Sequence, residues 1–315
     1  MGQTGGRVSV VLVTWNSATY LQELLPALAL QSYPDWELIC VDNGSADESV
    51  ARVLAAFPQA ALVRNRENVG FCRANNQGIR RATGAYVLLL NADAIPEPDY
   101  LTTLVDFLIA TPDCAGVTGK LLWAESRNCS PPRIDSAGHC LNRLRQVFDR
   151  GAGQPDRGQY DRTEPVFSFS AAAALYRRQC LLDIALPGAQ VLDEAFFAYS
   201  EDVDLNWRCW HWGWSCWYVP TAVAWHYRGH ARTKPLQIRR AAYGNRYRLL
   251  LRNECWWALA PDLPLVLLYE ICRLLRTLFT DPGLLTAYGS VLADLRRLLA
   301  TRPVGKCVPD RRRWR

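Results

Sequence analysis

The 315-residue sequence lacks several patterns that would each assign it to a class of protein. Its eleven cysteines include no C-x-x-C pair, so neither a zinc site nor a disulfide framework is indicated. This usage is typical of a reducing compartment and predicts a cytoplasmic location. No run of about 18 uncharged apolar residues occurs, so a membrane-spanning helix is not expected. The first residues also lack the charged-then-apolar order of a secretory signal.

Two common phosphate-binding loops are missing as well. No G-x-G-x-x-G follows the first predicted strand, and no G-x-x-x-x-G-K-[ST] occurs anywhere, which excludes the dinucleotide-binding and P-loop classes. The net charge of +6 is modest, and only three of the 36 basic residues are lysines. No nucleic-acid-binding motif accompanies this charge, so we expect no nucleic-acid partner.

The sequence does contain a regular alternation of strands and helices over its first part. Short apolar and β-branched runs predict strands at residues 8–14, 36–41, 60–63 and 86–90. Helical spacing predicts helices around residues 21–28, 48–57 and 70–81. This order predicts an α/β fold of the Rossmann-like, nucleotide-binding type, in which a mostly parallel sheet carries helices on both faces.

Two of these strands end next to an aspartate, at Asp42 and at Asp93. Open α/β sheets hold their ligands at the carboxyl ends of strands. Asp42 suits a hydrogen bond from a base or from a ribose hydroxyl. A carboxylate repels phosphates unless a cation lies between them, so Asp93 suits Mg²⁺ or Mn²⁺ shared with a substrate's phosphates. A helix N-cap is the simpler reading of either acid alone, but two acids at neighbouring strand ends favour a ligand site.

Four segments resemble, in order, the glycosyltransferase family 2 enzymes of the GT-A fold, with the rhamnosyltransferase-like branch most similar: VLVTWN, VDNGSADES, NVGFCRANNQGIR and LLLNADAIP. The resemblance covers roughly residues 7–230. It implies that Thr14, Asn16 and Asp42 line the base and ribose of a nucleotide sugar. It also implies three donor-binding residues at the start of the neighbouring helix: Asn68, Gly70 and Asn75.

The metal-binding motif of this family is often D-x-D, and its first position here is Asn91. An asparagine can hydrogen-bond a ribose but gives a metal no charge, so we expect weaker metal binding than with two carboxylates. Related enzymes place a metal-binding histidine where this chain has His226. The resemblance therefore implies a divalent metal, Mg²⁺ or Mn²⁺, on Asp93 and His226, with Arg228 and His230 against the diphosphate.

The sequence further predicts a helix that Ser200 caps and whose first turn contains Glu201, Asp202 and Asp204. Acids in a first turn stabilise a helix through its dipole, and this is the simpler explanation. The segment also resembles the family's E-D motif. That resemblance implies that Asp202 is the general base, that Glu201 is a positioning acid and that Arg208 is a structural partner.

Between these motifs lies an irregular stretch, residues 123–165, rich in Gly, Pro, Arg and Asp. A loop of this length is either functional or disordered, and a mobile lid near the acceptor is the functional alternative. Residues 167–177 predict a strand with small residues at its centre. His139 and His211 are expected to contribute surface or packing contacts only.

From residue 236 the composition changes to basic, leucine-rich helices, predicted at 238–252, 263–279 and 284–299. We therefore divide the chain into a GT-A domain, residues 1–235, and an extension of amphipathic helices with a basic tail, residues 236–315. Packing on the domain is the simpler role for these helices. We favour an in-plane membrane contact, with leucines and tryptophans at the interface, because it would suit a lipid-linked acceptor.

These features predict an inverting glycosyltransferase that moves a sugar from a nucleoside-diphosphate sugar to a hydroxyl of a glycan or lipid-linked acceptor. The resemblance to rhamnosyltransferases suggests dTDP-rhamnose as the sugar donor. The tail suggests peripheral contact with the inner face of the cell membrane. One alternative is a sugar-phosphate nucleotidyltransferase, a class that usually has a Gly-rich basic loop where this chain has TWNS. Another is a catalytically silent module that binds a nucleotide sugar or glycan, which Asn91 leaves open.

Overall fold

The computed structural model of the protein describes residues 5–228 and 235–303. His230 and the arginine-rich residues 311–315 lie outside the described residues. Within the described part, the chain forms one ten-stranded sheet, a separate two-stranded hairpin and ten α-helices.

Four parallel strands build the first half of the large sheet. The elements are β1 (Val8–Thr14), α1 (Ala18–Ala29), β2 (Trp36–Asp42), α2 (Ser49–Ala56), β3 (Ala61–Arg64), α3 (Phe71–Arg81) and β4 (Tyr86–Asn91). β1 pairs in parallel with β2 and with β4, and β2 pairs in parallel with β3. The predicted strands and helices of this half are confirmed. The register sets Thr14 beside Asp42, so the carboxyl ends of these strands meet at one edge of the sheet.

The rest of the sheet is mixed. Its elements are β5 (Ala94–Pro96), α4 (Tyr100–Ala110), β6 (Cys114–Trp123), β7 (Ile134–Ser136), β8 (His139–Leu141), β9 (Val147–Asp149), β10 (Glu164–Pro165), β11 (Ala173–Arg177), α5 (Arg178–Asp183), α6 (Glu201–His211) and β12 (Ser215–His226). The strand order is β10-β12-β6-β11-β4-β1-β2-β3, with β5 beside β12 and β7 beside β6. β11 is antiparallel to both of its neighbours, whereas β12 is parallel to β6. The predicted α/β class is therefore confirmed.

Apolar layers cover both faces of this sheet. Val8, Val10 and Leu12 of β1 pack in one layer, together with the buried leucines of α1. Val11, between them, packs in the opposite layer. Successive side chains of a strand point to opposite faces, so a strand buried on both sides needs an apolar residue at nearly every position. This requirement explains the continuous run VSVVLV.

The stretch after β6 is not irregular, contrary to the prediction. β7 pairs with β6, β8 and β9 form the separate hairpin, and β10 pairs with β12. Each of these strands has only two or three residues, too few to show an alternating pattern in the sequence. Gly138 has a φ of +97°, a conformation that favours glycine, and it makes the turn between β7 and β8. The strand predicted over residues 167–177 begins only at Ala173.

Residues 236–303 contain four helices, α7 (Leu236–Asn253), α8 (Trp256–Leu259), α9 (Leu263–Thr280) and α10 (Ala287–Ala300), which confirms the helical extension. Buried ion pairs attach α7 to α6 and to the segment that precedes α6. Arg252 of α7 is fully buried and pairs with Asp193 and with Asp204, which lies in the first turn of α6. Arg297 of α10 also pairs with Asp193, at 2.8 Å.

The polar side of α9 faces the protein. Glu270 accepts hydrogen bonds from Arg246 and Tyr247 of α7, and Thr277 is buried. The leucine side is exposed, with Leu268 59%, Ile271 55% and Leu275 50% accessible. Over residues 5–228 and 235–303, no helix combines the length and apolar character needed to cross a bilayer.

Candidate active site

A cavity of about 860 Å³ opens where β4 and β12 end and where α6 begins. Six residues singled out in the sequence line it, and they come from three distant parts of the chain: Asn91, Asp93, Glu201, Asp202, His226 and Arg228. The fold therefore brings the predicted metal ligands and the predicted base into one space.

Strand pairing explains why Asp93 and His226 meet. β5 lies antiparallel to the end of β12, with Ala94 opposite His226. The Nε2 atom of His226 then lies 3.5 Å from Oδ1 of Asp93. On the other side of the ring, Nδ1 lies 2.9 Å from Oδ2 of Asp135, which is fully buried. Burial lowers the pKa of His226, but the hydrogen bonds to Asp135 and Asp93 outweigh it and raise this pKa to about 9.

These residues fit a divalent cation with an open coordination sphere. Two neighbouring ligands of an octahedral Mg²⁺ or Mn²⁺ lie about 3 Å apart, because each bond is about 2.1 Å, so the observed pair is close to that spacing. Asp135 holds the ring as the outer partner of a metal-bound histidine does. The described residues contain no group of three or more His, Cys, Asp or Glu side chains suited to a metal. Substrate phosphates and water would therefore complete the ligand set.

Asp202 is held by main-chain donors. The N–H groups of Val203 and Ala171 donate to its two oxygens at 2.7 and 3.3 Å. Burial raises the pKa of Asp202 above its ordinary range, although His139 and the two N–H groups oppose this shift. A carboxylate with a raised pKa is a better proton acceptor, so the arrangement suits a general base.

The neighbouring Glu201 is 7% exposed, and its Oε2 atom is buried without a hydrogen-bond partner. Burial, and then the charge of Asp202, raises the pKa of Glu201 well above its ordinary range. This environment favours the neutral form of Glu201, whose O–H group would donate a hydrogen bond into the cavity.

One feature of this helix differs from the prediction. Ser200 occupies the N-cap position, but its backbone is left-handed, with a φ of 67°, and its side chain makes no capping hydrogen bond. Asp204 does not line the cavity. It is fully buried between Arg208 and Arg252, because the helical repeat turns it away from Asp202. Arg208 is thus a structural partner of Asp204.

Three residues of the site were missed in the sequence: His139 and Asp149, which line the cavity, and Asp135, which is buried behind His226. The Nε2 atom of His139 lies 3.1 Å from Oδ1 of Asp149, so the expectation that His139 only packs is wrong. Arg228 bridges the two acids, at 2.6 Å from Asp149 and 3.2 Å from Asp135. The one signal in the sequence was the density of Asp and Arg in residues 123–165.

The other predicted donor-binding residues do not line this cavity. Thr14, Asn16 and Asp42 lie at the ends of β1 and β2, whereas Asn68, Gly70 and Asn75 lie at the start of α3. Asp42 is 1% exposed and accepts hydrogen bonds from the Ser45 N–H at 3.2 Å and from Thr14 at 3.4 Å. Asn16 is exposed, has a φ of 50° and accepts from the Ala46 N–H at 2.8 Å. These contacts bring Thr14, Asn16 and Asp42 together.

The three residues named at the start of α3 have different local roles. Gly70 is the N-cap, and Asn68 accepts a hydrogen bond from its N–H at 2.9 Å. Gly70 has a φ of +89°, and a Cβ atom there would lie 2.7 Å from the ring of Phe197, so glycine is required. Asn75 is buried, and its Oδ1 atom has no hydrogen-bond partner.

Comparison with known proteins identifies the family. The sequence model of the family described as Glycosyl transferase family 2 matches residues 9–182 of this chain. The chain belongs to glycosyltransferase family 2. This assignment decides among the three functions considered from the sequence, because it makes the protein a glycosyltransferase. The N-acetylglucosaminyl-diphospho-decaprenol L-rhamnosyltransferase of Mycobacterium tuberculosis is 26% identical over 271 residues, which are 79% of this chain and 85% of that relative.

Solved structures are similar in fold. S. aureus TarS has a TM-score of 0.60 at 16% identity, over 94% of this chain and 50% of that one. The mannosyltransferase PcManGT from Pyrobaculum calidifontis, solved in complex with GDP-Man and Mn²⁺, has a TM-score of 0.55 at 22% identity, over 94% and 79% of the two chains. The glycosyltransferase described here therefore has the GT-A fold, and it spans half the length of TarS.

Proposed function

We propose that this glycosyltransferase inverts the configuration of the sugar that it transfers from a nucleoside-diphosphate sugar to a hydroxyl of a glycan or lipid-linked acceptor. The observation that carries the proposal is the single cavity that contains Asp202 together with Asp93 and His226. In this arrangement, the base at Asp202 faces the same space as the charged groups suited to a diphosphate. Direct displacement needs both groups around one reacting carbon.

Different residues of the cavity carry out different parts of the reaction. Asp202, held by two N–H groups, removes the proton of the acceptor hydroxyl as that oxygen attacks the anomeric carbon. Glu201 donates a hydrogen bond to a substrate oxygen and thereby orients it. Asp93 and His226 would hold Mg²⁺ or Mn²⁺, which would neutralise the charge of the departing diphosphate.

A separate group of residues binds the nucleotide of the sugar donor. Asp42, beside Thr14 and Asn16, accepts hydrogen bonds from the base or ribose of the nucleotide. Asn68, Gly70 and Asn75 contribute the neighbouring wall at the start of α3, and Asn91 a ribose contact. Arg228 binds the diphosphate, and it would exchange one of its two carboxylate partners to do so. The name of the mycobacterial relative supports rhamnose as the sugar and a lipid diphosphate as the acceptor.

The acceptor lies on the Asp202 side of the cavity. Phe148, in β9 of the hairpin, and Tyr199 are 50% and 38% exposed and line this space. Exposed aromatic rings suit the apolar side of a sugar ring. This pair therefore supports a glycan as the acceptor.

The leucine side of α9 contacts a membrane surface. Large exposed apolar patches mark interaction sites, and an in-plane helix buries its apolar side among lipid headgroups. Trp256 and Trp257 of α8, 53% and 70% exposed, are the residue type enriched at that interface. A lipid-linked acceptor would be presented at the same surface. We accordingly propose residues 1–235 as the catalytic domain and residues 236–315 as its membrane-facing extension, on the inner face of the cell membrane.

The full chain, incubated with dTDP-rhamnose and a lipid-diphosphate-linked N-acetylglucosamine in the presence of Mn²⁺, tests the proposal. The expected result is a new glycosidic bond whose anomeric configuration, read by NMR, is opposite to that of the donor. A parallel series with other nucleoside-diphosphate sugars tests the base and the sugar separately from the mechanism. Transfer with retained configuration from any donor would contradict the base role of Asp202.

A further inference from the structure

The segment that leads into Asp202 has an unusual backbone. Phe197, Tyr199 and Ser200 all have positive φ angles, of 60°, 71° and 67°. For a residue with a side chain, such a conformation costs roughly 1 to 3 kcal/mol. The conformation persists only where the surroundings enforce it. No glycine lies among residues 189–212, so the chain itself does not prefer this path. Something outside the segment must hold it.

One side chain of α7 holds it. The two N–H groups of the Asn245 side-chain amide are shared among the carbonyl oxygens of Phe196, Ala198 and Tyr199, which lie 2.9, 2.9 and 2.7 Å from the nitrogen. Asn245 is fully buried, and the guanidinium of Arg248 donates to its Oδ1 atom at 3.2 Å, which fixes the orientation of the amide. The three acceptors are thereby fixed within the six residues that precede Asp202.

The same segment is fixed on its opposite side by the donor-binding part of the fold. The N–H of Phe71, at the start of α3, donates to the carbonyl oxygen of Phe197 at 2.9 Å. The ring of Phe197 lies against Gly70. The path into α6 is therefore set by α3 on one side and by α7 on the other.

We propose that Asn245 is a positioning residue of the transfer reaction, because it fixes the strained segment 196–200 and so aims Asp202 into the cavity. This inference rests on the proposed role of Asp202 as the base. It makes α7, the first helix of the C-terminal extension, part of the active-site structure. Neither the sequence pattern nor the family comparison assigns Asn245 a role.

The physical reason is that this one amide contacts three carbonyl groups of the segment. Loss of the amide would remove a donor from the carbonyl oxygens of Phe196, Ala198 and Tyr199, and the positive φ angles would relax. The carboxylate of Asp202, two residues beyond Ser200, would move with them. A shift of about 1 Å at a reacting group costs about 100-fold in rate.

The test uses the full chain with Asn245→Leu, which removes the donors at similar volume, and with the milder Asn245→Ser. Asn76→Leu is the matched control, because Asn76 is an equally buried amide that hydrogen-bonds the main chain of Leu192, outside the cavity. Rates are compared per folded molecule, with the folded fraction taken from circular dichroism. Hydrogen–deuterium exchange of residues 197–203 reports on the segment itself.

Both Asn245 variants are expected to lower kcat about 100-fold while the donor KM stays within about threefold, since the donor surface is not altered. Exchange in residues 197–203 should accelerate in these variants and not in Asn76→Leu. Unchanged exchange, or a kcat no lower than that of Asn76→Leu, would overturn the proposal. The exchange result does not depend on which residue is the base, so it separates failure of this inference from failure of the Asp202 assignment.

Discussion

The Nδ1 atom of His226 lies 2.9 Å from Oδ2 of Asp135, a carboxylate 91 residues away in the chain. This contact turns the ring so that Nε2 faces Asp93. A carboxylate behind a histidine ligand fixes its tautomer and its orientation. The contact therefore links the stretch between β6 and β11 to the predicted metal site.

Asp135→Asn should weaken Mn²⁺ binding about 10- to 100-fold, the usual effect of losing an outer partner of a histidine ligand. Titration calorimetry with the nucleoside diphosphate present measures this affinity without catalysis. Asp262→Asn is the control, since Asp262 is a buried, ion-paired aspartate that does not line the cavity. Equal Mn²⁺ affinity in the Asp135 variant and the control would rule out the orienting role.

Asp202→Asn and Glu201→Gln should separate the two acids of the E-D motif. Asparagine cannot accept the proton, so transfer should fall roughly 100- to 10,000-fold while donor binding remains. Glutamine resembles a protonated glutamate and still donates a hydrogen bond, so Glu201→Gln should keep activity within about tenfold. Steady-state kinetics and nucleoside diphosphate binding give both values. Similar losses in the two variants would mean that Glu201 is ionised during transfer.

The raised pKa of Asp202 predicts the acid limb of the pH–rate profile. Only the ionised carboxylate accepts a proton, so kcat/KM should fall as the pH drops through this pKa. Because burial raises the pKa, the limb should lie above the value of about 3.9 for an exposed aspartate. Nucleoside diphosphate binding, followed over the same range, controls for loss of the donor site. A limb at or below the exposed value would contradict the buried environment of Asp202.

The exposed side of α9 can be tested without truncation. Leu268→Gln, Ile271→Gln and Leu275→Gln, combined in one full-length variant, remove apolar side chains at helical spacing. Co-sedimentation with anionic liposomes should fall at least tenfold, which corresponds to about 1.4 kcal/mol. Leu30→Gln with Leu182→Gln, two exposed leucines outside α9, is the control. If the α9 variant binds liposomes normally but changes oligomeric state in light scattering, a second copy of the chain covers this side instead.

The buried ion pairs of Arg252 should dominate the attachment of α7. Arg252→Met leaves the carboxylates of Asp193 and Asp204 without their buried partner, and such losses cost about 3 to 5 kcal/mol. Urea unfolding measures the free energy of unfolding. Arg64→Met, at an exposed arginine 4.0 Å from Asp42, should change it by less than about 1 kcal/mol. A loss of similar size in both variants would show that burial does not govern the effect.

The sheet and its helices were predictable because long elements repeat a pattern. β1 and β4 are continuous apolar runs, and the leucines of α1 recur at helical spacing. Asp93, which follows β4, and His226, which ends β12, could be paired through the family resemblance. Asp135 and His139 could not, because their strands have three residues each and their positions depend on pairing across the sheet. The left-handed Ser200 was also unpredictable, since a tertiary contact with α7 enforces it.

Sequence changes in the stretch between β6 and β11 can alter two functions of the enzyme at once. It contains both Asp135, which orients a metal ligand, and Phe148, which lines the proposed acceptor side. Insertions and deletions in this one segment therefore change metal affinity and acceptor preference together. Mutation of a catalytic residue would change only one of these properties. A chimaera that takes residues 124–165 from another member of the family would inherit a new acceptor preference and a new metal affinity as one trait.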